Sequence, residues 1–163
     1  MKKTRIISAF PASGKSYLFA NGKLDCVDSD SSLFSWIYSE DKQQRIRNPN
    51  FIKEYEDHIL SLVGKVDYIF VSSHKEVREM LTNLNLNWIS VMPNYSMKDE
   101  IVGRCFNRGS PVGFCDLISD KWDEFVPKCN SMLCVNGAIA WVTLGPNEYI
   151  SDHMHFIETT PYN

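Results

Sequence analysis

Gly14-Lys15-Ser16 brings together a residue with no side chain, a long cation and a hydroxyl, at the end of the apolar run Ile6-Ile7-Ser8-Ala9-Phe10 and the short turn Pro11-Ala12-Ser13. That set suits an anion with several oxygens. Gly14 lets the backbone approach phosphate oxygens where a Cβ would intrude. The N–H groups of Ala12, Ser13, Gly14, Lys15 and Ser16 can form an anion-binding nest, aided by the positive end of the helix that opens with Tyr17-Leu18-Phe19. Lys15 can reach the outer phosphates of a nucleotide, and the Ser16 hydroxyl can hold Mg²⁺.

Further polar residues fall where a phosphate chemistry could use them. Asp28-Ser29-Asp30 follows the short apolar stretch Leu24–Val27. Asp28 is a second candidate magnesium ligand, and Asp30 is placed to orient an acceptor or take its proton. A turn that caps the next helix is the other reading of these acids. Arg104 and Arg108 lie four apart, on one face of a helix that extends that far, and guanidinium groups are planar, permanently charged and bidentate. Solvated surface arginines are the alternative there. Residues 33–63 fall where nucleoside monophosphate kinases, which this order of elements resembles, carry their substrate-binding insertion. The resemblance implies that Arg45, Arg47 and Lys53 could grip an acceptor phosphate and that Phe34, Trp36, Tyr38 and Tyr55 could stack on a base, although aromatics at such spacing more often build cores. Val71-Ser72-Ser73-His74 carries no acid where P-loop NTPases, which this arrangement resembles, often place a metal-binding one. The resemblance implies that Asp28 could replace it, and Ser72 could alternatively hold a metal-bound water. His74 is expected to orient a loop.

Elements that position these residues follow from apolar periodicity and breakers. Strands are expected at 4–9, 24–27, 66–71, 87–92, 132–135 and 138–144, and Asn136-Gly137 signals a hairpin between the last two. Helices are expected after the phosphate loop as far as Asn21-Gly22, at 33–38 with Ser32 as N-cap, and at 51–63, 75–84, 98–106 and 113–126. Residues 40–50 read as an exposed loop or helix end. Strands alternate with helices, so the class is α/β, with a mostly parallel five-stranded sheet covered by helices on both faces. No repeat or long linker divides the chain, and residues 1–163 are read as one domain.

In this order the chain resembles the P-loop small-molecule and nucleoside monophosphate kinases, both adenylate-kinase-like and shikimate-kinase-like. Its compact size and compressed loops look like a phage or small-genome version. Ala9 stands where the pattern G-x-x-x-x-G-K-[ST] has its first glycine, which alanine can fill at negative φ. Asp28-Ser29-Asp30 is similar to the Asp-x-Asp of shikimate- and gluconate-type kinases, where the pair serves magnesium and the acceptor. The resemblance implies a three-layer P-loop NTPase-like fold and ATP and Mg²⁺ as cofactors. It also implies a mobile lid at 97–111 bringing Arg104 and Arg108 onto the transferring phosphoryl group, and an acceptor-binding region at 33–63. Gly145-Pro146-Asn147-Glu148-Tyr149 corresponds in order to the loop that packs against adenine, which puts Pro146 at the cofactor. The expected activity is phosphoryl transfer to a (deoxy)nucleoside monophosphate. A hydroxyl acceptor on a sugar, metabolite or nucleic-acid end stays open, as does a nucleotide-binding module without transferase activity.

Composition bounds these readings. At 163 residues, with 44% hydrophobic and 23% charged residues, the chain has the make-up of an ordinary globular domain. A net charge of −3 argues against broad electrostatic binding to nucleic acid. No run approaches the roughly 20 apolar residues of a membrane span. The early positive charge of Lys2, Lys3 and Arg5 precedes too short an apolar run for a targeting segment, so a cytoplasmic protein is expected. The five cysteines, Cys26, Cys105, Cys115, Cys129 and Cys134, read as free thiols. Cys129 and Cys134 with His153 and His155 have a spacing unusual for zinc.

Overall fold

A computed structural model of the chain describes residues 2–40, 44–128 and 137–162. The apolar stretches form five parallel strands, β1 (Arg5–Ala9), β2 (Cys26–Asp28), β5 (Tyr68–Ser72), β6 (Trp88–Pro93) and β7 (Ala140–Leu144), in the order β2-β5-β1-β6-β7. Successive side chains on a strand face opposite sides, so central strands buried on both faces read as continuous apolar runs. On one face Ile7 and Ala9 of β1 share a core with Phe70, Ile89 and Val91. It is covered by α1 (Lys15–Ala20), α5 (Lys98–Asn107), α6 (Val112–Asp120), α7 (Trp122–Phe125) and the terminal α8 (Met154–Thr159), through Leu18, Ile101, Ile118, Trp122 and Ile157. On the other face Ile6, Ile69 and Val71 meet Phe51, Tyr55 and Ile59 of α3 (Phe51–Leu62) and Val77, Met80 and Leu81 of α4 (Lys75–Asn83). The expected α/β class, five-stranded parallel sheet and two covered faces are all present.

Three predicted stretches take a different form. Residues 33–38 are not one helix: α2 (Ser32–Ser35) is a single turn, and the chain then extends as β3 (Trp36–Tyr38). Within the predicted loop 40–50 lies β4 (Arg45–Arg47), antiparallel to β3 with Trp36 opposite Arg47 and Tyr38 opposite Arg45. Trp-Ile-Tyr has strong strand preference, and Arg-Ile-Arg alternates to match it across the pair. The predicted helix 113–126 divides at Lys121 into α6 and α7. The predicted strand 132–135, with Cys129, Cys134 and Asn136, lies outside the described residues.

Cys26, Cys105 and Cys115 are free and buried, as read from the sequence. Among the described residues no helix is long and apolar enough to cross a membrane. At the end of the sheet that holds the strand N-termini, Tyr162 is buried against β1. Its hydroxyl accepts from the Ile6 N–H (2.9 Å) and donates to the Asn87 carbonyl.

Candidate functional site

The strand order turns at β1: the chain leaves it for β2 toward one edge, and the connection from β5 to β6 later passes across it. In open parallel sheets the crevice at such a switch point, beyond the strand C-termini, is where ligands bind. Gly14-Lys15-Ser16 lies there. Ala9 is still within β1, opposite Ser72 and Val91, and is not among the positive-φ residues. Alanine therefore fits where the pattern has glycine. The left-handed positions come later, at Ala12 (φ 60°) and Gly14 (φ 101°). Gly14 is the N-cap of α1. Among the described residues no group accepts a hydrogen bond from the backbone N–H of Gly14, Lys15 or Ser16. Consecutive free N–H groups at a left-handed turn and a helix start form an anion-binding concavity.

Lys15 turns its ammonium inward, donating to the carbonyls of Ala9 (2.8 Å) and Phe10 (3.1 Å). Desolvation brings its pKa down to about 8; Asp28 raises it, Arg108 lowers it, and Asp30 raises it further. All three of those charged residues are therefore close enough to act on the lysine. Ser16 Oγ donates to Asp28 Oδ2 at 2.8 Å, so the two predicted magnesium ligands sit side by side. Asp30 accepts from the Ser32 N–H through Oδ1 (2.9 Å), which is the helix-capping role. Among the described residues the buried Ser72 Oγ has no hydrogen-bond partner, and His74 is held below its ordinary pKa by desolvation, with Arg47 adding to the effect.

Arg104 and Arg108 separate in role. The Arg104 side chain is 10% exposed. Its guanidinium donates to the Glu148 carbonyl (2.9 Å) and the Ala12 carbonyl (3.4 Å), pairs with Glu100, and lies 4.0 Å from the centre of the Tyr149 ring. The predicted lid segment 97–111 contains α5, anchored by Met97 and Ile101 in the core and by the fully buried Cys105. In this arrangement Arg104 lies against the loop. Arg108 is exposed at the C-terminus of α5, where Nε donates to Ser110 Oγ (2.7 Å).

Residues 145–150 close over the loop. The Ile150 N–H donates to the Ser13 carbonyl (2.9 Å), and a Cβ on Gly14 would meet Tyr149 Cβ and Cδ1 at 3.3 Å. Pro146 is exposed in this turn, which is held by bonds from the Gly145 N–H to Glu148 Oε2 (2.7 Å) and from the Asn147 N–H to Glu100 Oε1 (2.9 Å). The stretch expected to pack against a base is thus joined directly to the phosphate loop. Tyr17 is exposed on α1.

Arg45 and Arg47 lie on the β3–β4 hairpin, with guanidinium carbons 4.4 and 5.8 Å from the Trp36 ring centre. Arg47 also stacks on Phe51 (4.4 Å) and pairs with Glu76 (2.8 Å). Sequence reasoning missed what holds the hairpin and the Asp28-Ser29-Asp30 turn. Asn48 is buried, donating through Nδ2 to the Phe34 carbonyl and Glu54 (2.9 Å each) and through its N–H to the Ser35 carbonyl (3.0 Å). The Tyr55 hydroxyl donates to the Ser29 carbonyl (2.6 Å), and His58 Nε2 lies 3.1 Å from Ser29 Oγ. Burial raises the Tyr55 pKa, and burial lowers that of His58. In the sequence Tyr55 reads as a base-stacking or core residue, not as the donor of this hydroxyl bond, and Asn48 sits in a polar run that offers no signal.

No protein-family model matches the sequence, and no curated protein matches it. Among solved structures, the chain is similar to an uncharacterized protein from Eubacterium ventriosum ATCC 27560, with 12% identity over 94% of this chain and 96% of that one and a TM-score of 0.48.

Proposed function

We propose that the chain is an ATP- and Mg²⁺-dependent phosphotransferase, a single domain of the P-loop kinase type acting on a (deoxy)nucleoside monophosphate. The observation that carries this reading is the row of unbonded N–H groups at Gly14, Lys15 and Ser16, beside the inward Lys15 and the Ser16–Asp28 pair. A polyanion of nucleotide phosphates satisfies all of these at once.

The residues fit magnesium. Mg²⁺ takes oxygen ligands, commonly one or two from the protein and the rest from phosphate and water. Ser16 and Asp28 supply such a pair. When bound there, the ion would neutralise charge on the phosphate oxygens. Lys15 holds the outer phosphates, exchanging its carbonyl partners for stronger charged ones. Arg108, exposed and electrostatically coupled to Lys15, is the cation for the transferring phosphoryl group. Arg45, Arg47 and Trp36 offer two cations and an aromatic face, which favours an acceptor with a phosphate and a base.

One observation favours a hydroxyl acceptor instead. Among the described residues only Oδ1 of Asp30 is engaged, which leaves Oδ2 available as a base. The test is ATP consumption against a panel of ribo- and deoxyribonucleoside monophosphates and hydroxyl acceptors, with Lys15→Ala as control. Turnover on a monophosphate that survives Asp30→Asn supports the first reading. Turnover only on a hydroxyl acceptor, lost in Asp30→Asn, supports the second. ATP binding with no turnover on any acceptor leaves a nucleotide-binding module.

A further inference from the structure

Ala12 is the unexpected residue of the loop. It is a buried non-glycine residue in the left-handed region, at φ 60°. Such a conformation is strained and persists only where its surroundings hold it. The contact on its carbonyl comes from Arg104, 92 positions later in the chain.

The same guanidinium organises the turn that holds the next peptide. It donates to the Glu148 carbonyl and stacks on Tyr149, and its partner Glu100 also accepts from the Asn147 N–H. That turn delivers the Ile150 N–H to the Ser13 carbonyl. In a planar trans peptide the carbonyl and the following N–H point in opposite directions. Holding the Ala12 and Ser13 carbonyls from the Arg104 and Ile150 side therefore aims the Ser13 and Gly14 N–H groups the other way. Among the described residues no group accepts from either of these N–H groups.

We infer that Arg104 is a positioning residue for the phosphate loop, acting through the Ala12 peptide and the 145–150 turn rather than touching phosphate. The inference rests on the loop's proposed role as a nucleotide-phosphate site. It differs from the role the kinase resemblance implies, in which this arginine meets the transferring phosphoryl group. A loop-positioning residue affects every phosphate the nest holds. A ligand of the transferring group affects only the nucleotide that carries it.

The experiment is calorimetric binding of Mg²⁺–ATP and Mg²⁺–ADP to the full chain and to Arg104→Ala and Arg104→Lys, with NMR order parameters of the Ser13 and Gly14 amides measured without nucleotide. Arg104→Ala should weaken ATP and ADP by the same factor, about tenfold or more. The amide order parameters should fall from the rigid range near 0.85 toward 0.6. Arg104→Lys, which keeps the charge but lacks the fork, should recover only part of both effects. Loss of ATP affinity with ADP unchanged would overturn the inference, as would wild-type affinity and order in the alanine variant. If Arg104→Ala does not fold, the lysine variant decides by the same criteria. If the wild-type chain binds neither nucleotide, the proposed function fails, and the order parameters alone decide whether Arg104 positions the loop.

Discussion

Lys15 faces two demands of opposite sign. Its ammonium is desolvated against two carbonyls, and its pKa of about 8 lies below the ordinary 10.5. Between those values the unfolded chain binds a proton that the folded chain has released, so folding becomes more favourable as pH rises from 8 to 10.5. Phosphate needs the charged lysine, so nucleotide affinity should fall over the same rise. Lys15→Met should abolish ATP binding and remove this pH-dependent part of the stability, which paired thermal melts at pH 7 and 9 would reveal. Gly14 is constrained twice, by φ 101° and by Tyr149 at 3.3 Å from any added Cβ. Gly14→Ala should cost about 1–2 kcal/mol in backbone strain, seen as a Tm lowered by about 2–8 °C. Asp28→Asn weakens the proposed magnesium ligand while keeping a hydrogen-bond acceptor for Ser16. It should leave metal-free ATP affinity nearly unchanged and remove most of the gain that Mg²⁺ brings, as titrations with and without the ion would show.

Among the elements, those built from local pattern were the most readable. β1, the turn and α1 follow from an apolar run, breakers and a motif within sixteen residues of the start. The β3–β4 hairpin was not legible, because Leu33-Phe34-Ser35 and Trp36-Ile37-Tyr38 together look like one apolar segment. Its strand partner Arg45-Ile46-Arg47 lies across a polar stretch. Strand pairing is decided by such non-local neighbours, whereas helix periodicity is internal to the segment. The same limit hid Arg104: its helix and charge were readable, but its carbonyl partners lie 44 and 92 positions away. As an element, the hairpin presents Arg45 and Arg47 through Trp36. Trp36→Ala should therefore raise the acceptor KM roughly 3- to 10-fold with little change in ATP affinity, which steady-state kinetics with each substrate varied in turn would separate.

Across the whole molecule the two ends of the sheet do different work. The phosphate loop, Asp28, Ser72 and the 145–150 turn gather at the strand C-termini, while the tail fastens the opposite end through Tyr162 and Arg5, whose guanidinium donates to the Thr160 (3.0 Å) and Glu158 (2.6 Å) carbonyls. Tyr162→Phe leaves the Ile6 N–H without its partner. It should cost about 1–3 kcal/mol in stability without altering nucleotide affinity, which denaturant melts and calorimetry on one preparation would show. The bond from the Ile150 N–H to the Ser13 carbonyl joins the loop to a turn made much later in the chain. Domains acquire structure as they leave the ribosome, N-terminal parts first. A nascent chain halted before residue 150 thus carries Gly14-Lys15-Ser16 but not the turn that holds the Ser13 carbonyl, and on the proposed reading nucleotide binding waits for that turn.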